Sequence, residues 1–340
     1  MVIGIDKSIE IKDKNKDKYL YIFDDDENLD DLIKIGYHCM HKDYVRYVDI
    51  NVSKYKIKCL KEAKYGEKGW NVLPPIKDHK IGIIIPNFNY EHTIEKCLNS
   101  ILEQTYKNYE VIFVDDMSTD NSVKIANSFK DKMNIKVIQL KQKRLNGGSR
   151  NEGYLHLSNG VDYVWYVDSD DWLYDNKSLE KINEYLRMEP DVLFVGLAKY
   201  DGYSITNSTI PEYGDKYEAI KGWSGSSGKV IKKELATKQE CLYPEGTLKE
   251  DRTQHFRVCL NMNSFGCLSE PVYVWNQRNM KSVTTIRDEA VWGTSTIRHY
   301  ADTLQLYLTY KGKDPKMDKI MKNRVEKTKN EVLNGGDMQW

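Results

Sequence analysis

From Lys80 onward, apolar runs of strand length alternate with segments of helical periodicity. Ile81-Gly82-Ile83-Ile84-Ile85 predicts a buried strand that ends at Pro86, whose missing N–H cannot serve a ladder. Ile94, Leu98, Ile101 and Leu102 recur at helical spacing and predict a helix within His92 to Tyr106. The pattern repeats as a strand over Tyr109 to Val114, a helix over Ser122 to Phe129 and a strand over Ile135 to Leu140. A helix around Ser149 to Leu157 and a strand over Val161 to Val167 follow, and Leu193 to Gly196 predicts the last strand of this half. Such alternation predicts an α/β fold, a mostly parallel, Rossmann-like sheet flanked by helices. In sheets of this kind ligands gather at the carboxyl ends of strands. Three polar turns fall there: Asn87-Phe88-Asn89, Asp115 to Asp120, and Asp168 to Asp171.

The flanks have another texture. Residues 1–78 mix Lys- and Asp-rich stretches with an apparent strand at Tyr19 to Phe23 and a short helix at Asn28 to Tyr37. They predict an N-terminal α+β extension without assignable chemistry, joined through a Pro74-Pro75 linker. The expected organisation is this extension, a main unit over residues 79–290 (divided at residues 198 and 199 into two halves) and a helical tail over residues 291–340. Within the tail, Tyr300 to Val332 reads as helical, and Lys311 to Lys329 carries eight Lys or Arg against three Asp or Glu. That run predicts a solvated helix face, with docking on an acidic surface as the alternative. Gly335 to Trp340 is expected to fray.

The chain of 340 residues carries 51 Lys and Arg against 51 Asp and Glu, so net charge points to no polyanionic partner. No apolar run approaches the ~20 residues of a membrane span. Met1 to Lys7 lacks a basic stretch followed by a long apolar one, so no signal peptide is expected. Six cysteines at positions 39, 59, 97, 241, 259 and 267 show no metal-ligand spacing and are expected to be reduced thiols, consistent with a cytoplasmic protein.

The apolar run Val164 to Val167 ends in Asp168-Ser169-Asp170-Asp171, three carboxylates within four positions. Like charges that close repel, and burying them is costly unless they are paired or bind a cation. Mg²⁺ or Mn²⁺, which favour hard oxygen ligands and manage phosphate oxygens, is the economical account. For the cluster alone, a solvated acidic turn is the alternative.

Four segments together resemble the GT-A glycosyltransferases of family 2: Ile83 to Asn89, Val111 to Asp120, Asn146-Gly147-Gly148-Ser149-Arg150-Asn151-Glu152-Gly153, and Asp168 to Asp171. Order and spacing agree as well, from about Lys80 to about Thr285. The resemblance implies a nucleotide-sugar half over residues 79–198 and an acceptor half over residues 199–290. It also implies sugar transfer from a nucleoside diphosphate donor, a UDP-sugar in the first instance, with inversion and with Mn²⁺ or Mg²⁺ as cofactor. Asp116 would hold uracil, with Phe88 stacked on the base or packed in the core. Pro86, Asn89, Ser118 and Ser169 would line the nucleotide-sugar site. Gly147 and Gly148 would admit the nucleotide close to the backbone, and Arg150, at a helix start, would pair with a site carboxylate or with phosphate. Asp168 and Asp170 spell the family's metal motif in one alignment and Asp171 is the ligand in another, with Asp168 nearer ribose or a metal-bound water. The Glu250-Asp251 pair opens a helix where the family places its general base, which makes Asp251 the first choice and Glu250 the fallback. A helix-capping role explains a carboxylate there equally well. Tyr273 to Thr284 resembles the segment that closes these sites, where Arg278 or Lys281 would contact the diphosphate or lie in a solvated loop, and Trp275 would pack in the core or against a sugar.

Two other functions remain open on sequence. A nucleotidyltransferase shares such a sheet and a carboxylate-bound Mg²⁺, but its first strand usually leads into a Gly-rich, basic loop. A catalytically silent binding module is the other. The acceptor (glycan, lipid-linked sugar, peptide or modified nucleic-acid base), the sugar and the oligomeric state are not specified by these motifs.

Overall fold

The computed structural model describes residues 77–278 and 289–334, and before them four short strands. These pair antiparallel as Cys39–His41 with Trp70–Val72 and Val48–Asn51 with Lys56–Cys59. The expected elements at Tyr19 to Phe23 and Asn28 to Tyr37, the Pro74-Pro75 linker, Lys281 and the Gly335 to Trp340 terminus lie outside the described residues.

Strands β1 (Ile81–Asn87), β2 (Tyr109–Asp115), β3 (Ile135–Gln139) and β4 (Tyr163–Tyr166) run parallel in the order β3-β2-β1-β4. Helices α1 (Ile94–Leu102), α2 (Ser122–Asn127) and α3 (Leu145–Leu155) connect them. After β4 come β5 (Trp172–Leu173), α4 (Ser178–Tyr185), β6 (Val192–Tyr200), β7 (Ile205–Thr209) and β8 (Lys229–Lys232). Helix α5 (Glu250–Asn261) and β9 (Phe265–Asn276) complete one nine-stranded sheet of order β3-β2-β1-β4-β8-β6-β9-β5, with β7 beside β6. The parallel register expected from the sequence holds through β4. Beyond it β8 enters antiparallel between β4 and β6, while β6 and β9 pair parallel. Leu193 to Gly196 therefore lies inside the sheet, within β6, and the two expected halves share one continuous ladder.

Alternate residues of the central strands feed two separate cores, as a period of two requires. Ile81, Ile83, Ile85, Val111, Phe113 and Trp165 face one side with Leu98, Ile101 and Leu179. Ile84, Ile112, Val114, Val164 and Tyr166 face the other with Phe256, Met317 and Met321. Full burial of each such side chain stabilises the fold by about 1.5–3 kcal/mol. Gly153 admits α3 to the second face, since a Cβ there would lie 2.5 Å or less from Ile84 Cγ2, at 2.4 Å.

Pro86 does not end β1, which runs on to Asn87. Pairing with β4 ends at Ile84↔Tyr166, while β2 continues beside β1 to Asn87↔Asp115. The Pro86 carbonyl faces the β4 side, where it accepts from Ser169 Oγ at 2.6 Å. Its missing N–H thus falls where no ladder bond is due.

The tail is two helices, α6 (Glu289–Tyr310) and α7 (Pro315–Leu333). Gly312 turns the chain at φ 84°, and Asp314 caps α7 by accepting from Lys316 N–H (3.0 Å) and Met317 N–H (3.1 Å). The basic run is only partly solvated: Met317, Met321, Val325 and Thr328 form a buried stripe at i, i+4, i+8 and i+11. Among the described residues, no helix is long and apolar enough to cross a membrane.

Candidate active site

Because β2, β1 and β4 are neighbours, the three polar turns at their carboxyl ends converge. Asp115 organises the first two, accepting from Asn87 Nδ2 (2.8 Å) and from the backbone N–H of Ser118 (2.9 Å). Ser118 Oγ in turn accepts from Asn89 N–H at 2.8 Å, and Asn89 Oδ1 accepts from Thr119 N–H at 2.8 Å. Asn89 and Ser118 thus hold the turns in shape. Asp116 is buried, and its two oxygens accept from the N–H groups of Arg144 (2.7 Å) and Leu145 (2.9 Å). Each oxygen keeps one further lone pair. Phe88 stands beside this turn, 38% exposed, with the Lys143 ammonium over its ring, so its face belongs to the surface and not to the core.

The acidic cluster divides into three environments. Asp171 is buried and doubly held, by the Tyr273 hydroxyl at 2.6 Å and the Asn276 N–H at 2.7 Å. Burial, reinforced by Asp170 and Asp168, pushes its carboxyl well above the ordinary 3.8. Asp168 is half-exposed, and one oxygen accepts from Arg150 Nη2 at 2.6 Å. Asp170 lies between them, its carbonyl accepting from Asn276 Nδ2 at 3.1 Å. Ser169 points away, to the Pro86 carbonyl.

Arg150 joins this cluster to the helix pair. It lies in the middle of α3, not at its start, and is buried. Its Nη1 donates to Glu250 at 2.8 Å while Nη2 holds Asp168. Glu250 and Asp251 open α5, and Asp251 Oδ1 accepts from Arg252 N–H at 2.7 Å. Burial raises both carboxyls; Arg150 opposes the rise in Glu250, and Arg252, Arg150 and Lys229 oppose it in Asp251. Lys229 is fully buried, donating to the carbonyls of Ser224 (2.8 Å) and Gly225 (2.7 Å), and desolvation lowers its pKa to about 8.

Part of this set lines one cavity of about 370 Å³, namely Pro86, Asp168, Ser169, Asp170, Asp171, Glu250, Asp251 and Arg252. Phe88, Asn89, Asp116, Ser118 and Lys229 are not among its lining residues. Tyr90, Asn146, Arg150, the loop from Gly222 to Ser227, Trp275 and Trp292 complete the lining. Such a cleft can hold a phosphate-bearing ligand across the acidic wall and present a second reactant to Asp251. Trp275 thus faces the cleft, its ring 5.5 Å from that of Trp223. His255 is a buried helix histidine on the Ile220 carbonyl (3.2 Å), kept neutral by burial.

The other expected ligands have these surroundings. A Cβ at Gly147 would lie 2.5 Å from the Pro244 carbonyl and 3.2 Å from Glu250, and one at Gly148 would lie 2.4 Å from Arg144 Cβ. The close approach they permit is that of α3 to the segment carrying Glu250. Arg278 lies outside the cleft, exposed, donating to the Asp201 carbonyl and stacked over Tyr203 on the β6–β7 turn. Tyr273, Asn276, Lys229 and Trp223 were not singled out as ligands by the sequence. The segment around Tyr273 carried the signal, but its register against Asp171 depends on β9 pairing with β5.

Gly147→Ala is expected to destabilise the fold despite its position in a helix. Alanine gains about 1 kcal/mol in helix propensity, but a Cβ 2.5 Å from a backbone carbonyl forces a shift that costs about 1–3 kcal/mol and pushes Glu250 from Arg150. A urea midpoint at or above that of the parent would refute this.

Known proteins resemble this chain in sequence and in fold. The sequence model of the family described as Glycosyl transferase family 2 matches residues 82–242. Glycosyltransferase GlyA of Streptococcus pneumoniae is 40% identical over 112 residues, 32% of this chain and 16% of that protein. The poly(ribitol-phosphate) beta-N-acetylglucosaminyltransferase TarS of Staphylococcus aureus is 27% identical over 203 residues, 58% of this chain and 35% of that protein. The chain thus spans well under two thirds of these relatives. Among solved structures, TarS residues 1–349 in complex with UDP-GlcNAc superposes with a TM-score of 0.59 at 22% identity, covering 75% of this chain and 72% of that one. The mannosyltransferase PcManGT from Pyrobaculum calidifontis, in complex with GDP-Man and Mn²⁺, gives 0.52 at 16% identity, covering 79% and 76%. Both are likenesses of fold.

Proposed function

Since residues 82–242 match the model of glycosyl transferase family 2 and the fold is like that of GT-A glycosyltransferases, we propose that the chain transfers a sugar from a nucleoside diphosphate donor to an acceptor hydroxyl, with inversion and with a divalent cation. The observation that carries this reading is that Asp168, Asp170 and Asp251 line one cleft, with Arg150 bridging Asp168 and Glu250. UDP is the favoured carrier: TarS was crystallised with UDP-GlcNAc, and Asp116 keeps a lone pair on each oxygen for a pyrimidine N–H beside the exposed face of Phe88. Buried free thiols at Cys97, Cys241, Cys259 and Cys267 support a cytoplasmic setting.

The residues fit a cation that is completed by its substrate. Among the described residues no three His, Cys, Asp or Glu side chains converge on a metal position. Mg²⁺, however, is usually held by one or two carboxylates together with substrate phosphates. Asp168 and Asp170 line the cleft and are the candidate ligands, while Asp171 is held on both oxygens by Tyr273 and Asn276. When bound, Mn²⁺ or Mg²⁺ supplies positive charge to the departing diphosphate.

Asp251 accepts the proton of the acceptor hydroxyl as its oxygen bonds to the anomeric carbon and the bond to the diphosphate oxygen breaks, the electron pair leaving with the nucleotide. Inversion demands a base on the face opposite the leaving group, and Asp251, which lines the same cleft as the acidic cluster, is the candidate. Burial raises the basicity of Asp251, while Arg252, Arg150 and Lys229 favour its ionised form. Arg150 keeps the two walls in register and, with Glu250, forms a buried ion pair whose disruption is costly.

A panel of UDP- and GDP-sugars scored by nucleoside diphosphate release tests the reaction class. Transfer is expected with at least one donor, to vanish with EDTA and to return on adding Mn²⁺ or Mg²⁺. Full turnover in EDTA would remove the cation from the mechanism, and release of pyrophosphate would favour a nucleotidyltransferase.

A further inference from the structure

The pair proposed to do the chemistry is bracketed in sequence by two cations, as Lys249-Glu250-Asp251-Arg252. Both turn to one carboxylate from the far end of the chain. Lys249 Nζ lies 3.1 Å from Glu331 Oε2, with side chains 5% and 11% exposed, and Arg252 Nη1 lies 3.8 Å from Glu331 Oε1. Glu331 stands in the last turn of α7, whose place is fixed by buried Met317, Met321, Val325 and Thr328. A second tie comes from α6, where Ser295 Oγ accepts from the Leu248 N–H at 3.0 Å. The N-cap residue Lys249 makes no side-chain cap, and its ammonium instead ties the start of α5 to α7.

We propose that Glu331 is a positioning residue for sugar transfer: by holding Lys249 and Arg252 together it fixes the first turn of α5, and with it Asp251, against the cleft. This rests on the reading of Asp251 as base. It makes the C-terminal helices, which lie beyond the family match ending at residue 242, part of the working site.

The charge balance gives the sign of the effect. Asp251 is faced by Glu250 and Arg252 of its own helix, Arg150 of α3 and Lys229 of β8, with Lys249 one turn away and Glu331 behind the two flanking cations. Losing the Glu331 charge removes a negative charge from beside Lys249 and Arg252, which favours ionised Asp251 and weakens it as a base. The acid limb of kcat/KM then moves to lower pH while kcat falls. A purely structural tie would lower Tm and leave the limb in place.

The test uses the full chain with UDP-glucose and UDP-N-acetylglucosamine, following UDP release against pH, and amide hydrogen exchange without ligand. Glu331→Gln is expected to lower kcat at least tenfold at unchanged donor KM, to shift the acid limb downward and to speed exchange across residues 247–254. Glu331→Asp, which keeps the charge, should recover most of the loss. Should Glu331→Gln fail to fold, Lys249→Met with Glu331→Met replaces the ion pair by apolar groups and takes the same readouts. Unchanged exchange across residues 247–254, or a lowered kcat with the limb unmoved and no recovery in Glu331→Asp, overturns the proposal. Normal transfer by Asp251→Asn would instead overturn the base, whatever Glu331→Gln does.

Discussion

Asp251→Asn is expected to lower kcat by about 10²–10⁴-fold, the range over which a positioned general base acts, with donor KM nearly unchanged. Asparagine keeps the shape of the first turn of α5 and can still accept from the Arg252 N–H, so folding is spared. What it loses is the capacity to take the acceptor proton. The pH dependence is the companion result. Asp251 must be ionised to act, so kcat/KM falls as pH drops through its pKa. Burial moves that limb above the ordinary aspartate value of 3.8. Glu250→Gln should behave differently, because Glu250 is committed to Arg150 at 2.8 Å. Its loss strands a buried guanidinium and should appear first as reduced stability. If Asp251→Asn retains parental kcat while Glu250→Gln abolishes it, the base has been assigned to the wrong member of the pair.

Asp170→Asn carries the second large effect. On the proposed reading, the amide at position 170 removes one of the cleft carboxylates assigned to the cation. Loss of a group that stabilises charge in the transition state costs about 10²–10³ in kcat, and a fall at least that large is expected here. Excess Mn²⁺ should restore little, in contrast to EDTA-treated parent enzyme, and donor affinity should weaken with kcat because the diphosphate loses its counter-charge. Asp171→Ala should instead act through the fold, freeing the Tyr273 hydroxyl and the Asn276 N–H and loosening the end of β9. A variant Asp170→Asn with parental kcat and metal dependence would move the cation to another residue.

Both predictions depend on features that the chain announces unequally. Strand identity follows from local patterning, since Ile81 to Ile85 and Val111 to Val114 are apolar on both faces and bounded by turn residues. The acidic ends at Asp115-Asp116 and Asp168 to Asp171 are equally local, and parallel neighbours with short crossovers bring them to one edge. Hence the candidate site was legible wherever a residue sits at the end of a predicted strand. Pro86 shows the limit of such reasoning: whether a proline stops a strand depends on which neighbour its N–H would have served.

What the sequence determined alone is the alternation that builds the parallel half of the sheet, the placing of carboxylates at its edge and the helix start that carries Glu250 and Asp251. Tertiary structure decided the partners of the acidic cluster, because Asp171 is claimed by Tyr273 and Asn276 about a hundred residues away and Arg150 spans Asp168 and Glu250. It also decided that Gly147 lies close against the Pro244 carbonyl, that Arg278 serves the β6–β7 turn, and that Glu331 reaches the first turn of α5. The physical reason is common to these cases. Backbone pattern is set by residues three or four apart, whereas a side chain's charge state and partners are set by whatever packing brings within hydrogen-bond reach.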